Sequence, residues 1–159
     1  MAKKYRLMQV QAFLILLWIL GAAFGVSASE TLIIESDGPP LTLVVEVADT
    51  ADARNKGLMF RKELAPFSGM LFDFGRTGPV AMWMKNTLIP LDMIFTDRQG
   101  KILYIHENAR PEDLTTIQPP MPVYAVLEVI GGFVETHGVH IGDRLVYSLF
   151  SQHNLNDAE

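Results

Sequence analysis

The chain has 159 residues, 49% of them hydrophobic and 19% charged, with a formal net charge of −5 and no cysteine. Without cysteine there is no disulfide, thiol nucleophile or thiolate metal site, and the acidic balance argues against nucleic acid as a partner. Stability has to come from packing, for which a single domain of this length is large enough.

Residues 1–28 stand apart from the fold. Lys3, Lys4 and Arg6 precede an apolar run from Ala12 to Val26, and Val26-Ser27-Ala28 supplies small residues for cleavage. This pattern predicts an export signal, with an uncleaved anchor as the alternative, and so a periplasmic or extracellular domain whose only membrane contact is that segment. Its removal leaves ten Lys and Arg against eighteen Asp and Glu, a formal charge of −8. The expected organisation is signal 1–28, one domain over 29–150 and a polar tail over 151–159.

Thr31–Ile34 and Leu41–Val47 are β-branched runs separated by Ser36-Asp37-Gly38-Pro39-Pro40, and they read as the first two strands. Thr50 is an N-cap for a short helix over Ala51–Lys56, with Asp52 in the first turn and Gly57 as the stop. Residues 63–68, with Pro66, read as loop, and Gly69–Phe74 as a strand. Val80–Lys85 reads as a further strand with Val80, Met82 and Met84 on one face and Ala81, Trp83 and Lys85 on the other, both faces largely apolar and both therefore covered. Asn86 and Thr87 form a turn, and Pro90 launches a strand at Leu91.

Leu91–Thr96 and Lys101–His106 flank Asp97-Arg98-Gln99-Gly100, a hairpin connection with glycine placed for it. His106–Val123, with Pro111, Pro119, Pro120 and Pro122, is a long loop and a candidate lid. Tyr124–Ile130 reads as a buried strand. Gly131-Gly132 opens a short helix to about His137, Gly138 stops it, and Gly142-Asp143 turns into a last strand over Arg144–Phe150. The sum is a mainly β fold, a compact barrel or sandwich of seven to eight short strands with two short helices.

Gly57-Leu58-Met59-Phe60-Arg61, Gly69-Met70-Leu71-Phe72, Trp83-Met84-Lys85-Asn86-Thr87 with Ile89-Pro90-Leu91-Asp92, Leu127-Glu128-Val129 and Gly142-Asp143 together resemble the domain of unknown function 192 family. The segments stand in the family's order from about Leu41 to Tyr147. The resemblance implies a small, mainly β, exported bacterial domain and carries no reaction with it.

Two acids interrupt apolar strands, Asp92 and Glu128, and a buried carboxyl group must be paired, hydrogen-bonded or protonated. As a pair they are candidates for acid and base roles across a glycosidic or ester bond. The alternative is a structural pairing with Lys85, Arg61 or Arg144. The binding reading gathers Arg61, Trp83, Lys85, Asn86 and Asp92 at one corner: an amine for an anion or hydroxyl, an amide for directional hydrogen bonds, and an indole platform. A Trp in so apolar a run is more often core. The ligand expected is a small polar or anionic molecule, with docking on another envelope protein as a further alternative.

No cofactor or metal is expected. Met82 and Met84 share a strand face and thioethers suit Cu(I), but core filling explains them equally. His137 and His140 straddle a helix stop, which spoils metal-pair spacing. No serine sits in a nucleophile elbow.

Overall fold

The computed structural model describes residues 29–151. The segment over 1–28 that is expected to be an export signal and the expected tail beyond Ser151 lie outside them. Seven strands form one sheet in the order β5-β4-β6-β3-β2-β1-β7: β1 (Glu30–Glu35), β2 (Leu41–Ala48), β3 (Ser68–Gly78), β4 (Leu91–Thr96), β5 (Ile102–Ala109), β6 (Val123–Ile130) and β7 (Arg144–Val146). Only β2 and β3 run parallel, and α1 (Ala51–Lys56) makes part of their crossover.

The sheet curls until its edges meet. Lys101 bridges Arg144, Ile102 N–H donates to Asp143 C=O at 2.8 Å, and Leu145 N–H donates to Gly100 C=O at 2.8 Å. Gly100 has φ of 78°, and a Cβ there would lie 2.2 Å from the Leu145 carbonyl oxygen, so this closure requires glycine. The fold is therefore the barrel-like member of the two expected architectures, a curled half-barrel.

Alternation along the central strands divides the apolar side chains into two cores. Ile94, Leu127, Val129, Leu71, Leu43 and Leu32 fill the inside of the curl, closed by Phe133 and Val134 of α2 (Phe133–His137) and by Phe150 of α3 (Ser148–Ser151). Leu91, Met93, Phe95, Val126, Met70 and Phe72 point outward into a second core. Every residue of β4 is buried, because both faces of the sheet are covered there.

The cover of the outer core is the stretch expected to be a strand. Val80–Lys85 is not one: it makes a lone bridge, Met82 to Ile117, and joins no sheet. It lies over the sheet and is clipped to the proline-rich loop, with Met82 and Ile117 exchanging two backbone bonds of 2.9 Å, Met84 N–H donating to Asp113 C=O and Glu112 N–H donating to Thr87 C=O. Val80, Met82 and Met84 do share the buried face, but Trp83 on the other side is 53% exposed. A segment that is itself the outermost layer has nothing to cover its second face. The loop, held by these bonds, is a partner of the segment and not a free lid.

Elsewhere the local signals act as expected. Thr50 Oγ1 accepts from Ala53 N–H at 3.1 Å and Gly57 ends α1 with φ of 47°. Gly132 and Gly138 bracket α2. The last expected strand is overturned beyond Val146, where Ser148–Ser151 turns helical and carries Phe150 into the inner core. The count is accordingly three short helices among the described residues. No helix of the described residues is long and apolar enough to cross a membrane.

Candidate functional site

Glu128 faces outward from β6, paired in register with Met70 on β3 and Met93 on β4, so thioethers flank its side chain on both neighbouring strands. It is 4% exposed. No described group donates to it or pairs with it. Burial without compensation pushes its carboxyl group up to about 8, so it holds its proton at neutral pH.

Glu128 lines a pocket of about 280 Å³. Buried Leu58, Phe72, Met82 and Thr87 line the depth of this pocket beside Glu128. Arg54, Asn55 and Lys56 from the end of α1, with Trp83 and Lys85 from the covering segment, line its more exposed part. Lys85 Nζ sits 5.6 Å from the Trp83 ring centroid, a cation–π distance that holds amine and indole side by side. Arg54 is anchored by its own backbone contacts, Nη1 donating to the Asp49 and Asp73 carbonyls at 2.6 Å each. Glu128 is the sole acid of the lining among the described residues.

Asp92 is elsewhere. It alternates with Leu91 and Met93, so its side chain emerges on the inner face of the sheet, opposite to Glu128. There it is fully buried and accepts three backbone N–H bonds: Asn108 at 2.8 Å and Gly132 at 3.1 Å on Oδ1, Val134 at 2.9 Å on Oδ2. The β4–β5 pairing slips between Leu91 and Met93, and Asn108 belongs to the β5 bulge this creates. Gly132 has no side chain to cap α2, and Asp92 does that from the sheet.

The remaining expected site residues are divided by the same geometry. Trp83, Lys85 and Glu128 come together; Arg61, Asn86 and Asp92 do not line the pocket. Arg61 is taken by Glu46 in a two-pronged pair of 2.5 and 2.6 Å, whose hydrogen bonding lowers the Glu46 carboxyl and raises the Arg61 guanidinium. Asn86, with φ of 55°, accepts Phe60 N–H on its carbonyl at 2.8 Å and directs its amide nitrogen to Met59 Sδ at 3.8 Å. It braces the loop that carries Met59 into the pocket wall.

As catalytic candidates Asp92 and Glu128 share no cleft, since the sheet lies between them. Sequence reading missed Arg54, Asn55, Lys56 and Phe72. The signal available was the basic last turn of α1 before Gly57, which has an ordinary explanation in the helix dipole and so did not stand out. The described histidines stay outside this site: His137 packs at a tilt against Phe133 and Phe67 with centroids 4.4 and 4.9 Å apart. No three His, Asp or Glu of the described residues are grouped to hold a metal.

Comparison with known proteins supplies a family and no activity. The family model DUF192, described as "Uncharacterized ACR", matches residues 32–147. A crystal structure of a protein from Sinorhizobium meliloti 1021, provisionally named a transcription regulator, is similar with a TM-score of 0.74 and 47% identity, covering 76% of this chain and 94% of that one. A protein of unknown function from Novosphingobium aromaticivorans DSM 12444 is similar with a TM-score of 0.73 and 34% identity, covering 75% of this chain and 85% of that one. No curated protein matches.

Proposed function

The chain belongs to the DUF192 family, and on that premise we propose that it is an exported binding domain whose pocket beside Trp83 and Lys85 holds a small polar or anionic ligand. The observation that carries this reading is the composition of the pocket. Three cations, Arg54, Lys56 and Lys85, line its exposed part, apolar and aromatic surface lines its depth, and one acid is buried there without a partner. Apolar walls with a few placed polar groups are what ligand sites have in common. Export rests on the composition of residues 1–28. The provisional name of the Sinorhizobium relative does not transfer well to a chain this acidic, since a surface rich in carboxylates repels a phosphate backbone.

The test is a thermal-shift and calorimetric screen of the full chain against envelope sugars and small carboxylates, followed by Trp83→Ala and Lys85→Ala. A binder should raise the melting temperature, and each substitution should weaken it by about tenfold, the loss of one good contact. Silence across the whole panel would remove the reading.

A further inference from the structure

We propose that the pocket is specific for a small organic monocarboxylate that enters carboxylate first and is met at the buried end by the carboxyl group of Glu128 acting as hydrogen-bond donor. This rests on the pocket reading above and names its ligand class.

The geometry leaves that end of the pocket asking for an acceptor. Glu128 is a carboxyl group between Met70 and Met93, in a wall of Leu58, Phe72 and Met82, and no described group shares its proton. A protonated acid has one O–H to give, and an acceptor brought into the pocket beside it can take that bond. A ligand carboxylate oxygen takes that proton in a short, charge-assisted bond and leaves a single negative charge in the pocket. The charged groups that line the pocket with Glu128 are all positive: Arg54 and Lys56 from α1, and Lys85 from the covering segment. One negative charge therefore enters a site that is cationic towards solvent and neutral at depth.

The competing classes fit less well. An amine, protonated at neutral pH, would have to pass three cations and would pair with Glu128 only after its carboxyl group had lost its proton to solvent. A neutral polyol would answer Glu128 but gain nothing from the positive charge of the lining, and the indole and phenyl surfaces of Trp83, Phe72 and Phe74 favour an apolar or aromatic body. At about 280 Å³ the site is near the bottom of the range for ligand pockets, roughly 300–1,000 Å³, which limits that body to about one ring.

The experiment is calorimetric titration of the full chain with phenylacetate and, separately, with phenethylamine, between pH 6 and pH 9. Phenylacetate should bind with near-constant affinity to about pH 8 and then weaken by about tenfold per pH unit as Glu128 ionises and repels it. Glu128→Gln keeps a donor that cannot ionise, so it should bind phenylacetate within a few-fold of the parent and lose the dependence on pH. Glu128→Leu replaces the acid with an apolar side chain that suits the wall and should fold, yet bind at least tenfold more weakly. Phenethylamine binding the more tightly, or phenylacetate binding Glu128→Leu as well as the parent and without pH dependence, would overturn the role of Glu128 while leaving the pocket a ligand site. Failure of both probes and of the wider panel would remove the pocket reading itself.

Discussion

Asp92 on β4 and Glu128 on β6 are acids on neighbouring strands of one sheet, both buried, and the two faces of that sheet treat them in opposite ways. On the inner face a bulge and a helix start bring three N–H groups to Asp92. On the outer face Glu128 receives none, and a pocket stands where its partner would be. Burial of a carboxyl group alone therefore says little about use. What separates a structural acid from a binding one is whether the fold supplies the donors or leaves room for something else to accept.

The largest effect should come from breaking the satisfied side. Asp92→Leu strands three backbone donors, that of Val134 fully buried, and its unfolding free energy in urea should fall by about 3–5 kcal/mol, against roughly 1–2 kcal/mol for Asp92→Asn, which keeps one acceptor. Glu128 should behave in the opposite sense. Its folded form keeps the proton to about pH 8, whereas the unfolded chain releases it near 4.5, so the native state binds the extra proton between those values and stability declines as pH rises through that window. Glu128→Gln should flatten this slope and, in urea titrations at pH 9, exceed the parent by about 3–5 kcal/mol, while the two differ little at pH 4.

A pair near the surface provides the smallest effect and a control for both. Arg61 and Glu46 are about one-third exposed, 34% and 31%, so solvent screens them despite the two-pronged geometry. Arg61→Ala should cost no more than about 1 kcal/mol, and less in high salt, as read from the urea midpoint.

Much of the fold was legible because it is written in short-range chemistry. Thr50 and Gly57 bracket α1, Gly132 and Gly138 bracket α2, and the runs Leu41–Val47, Leu91–Thr96 and Tyr124–Ile130 are strands within a residue or so. The errors fall where a residue's neighbours lie far off in sequence. Val80–Lys85 alternates as a strand does, yet its backbone bonds to the loop go to Asp113 and Ile117, and Trp83 is exposed because the segment is the last layer. Arg144–Phe150 is apolar enough for a strand, but Phe150 is needed to close the inside of the curl, and the chain turns helical to reach it.

The candidate site was half legible. Trp83 drew notice as a flat platform, Lys85 as an amine beside it and Glu128 as an acid interrupting an apolar strand, and the three line one pocket. Arg61, Asn86 and Asp92 drew notice as polar groups of the same corner and are occupied by Glu46, by the Met59 loop and by three backbone donors. A misfit in sequence marks a polar group needing a partner, and it does not say whether the partner is within the chain.

By itself the sequence determined most of the element list, the absence of thiol chemistry and the two acids that any account of this protein must explain, since propensity, turn residues and composition act over a few positions. Only the tertiary structure decided which face of the sheet each acid occupies. That choice follows from strand register, from the bulge at Asn108 and from the layer laid over the outer core, and these are contacts between residues tens of positions apart that no local pattern encodes.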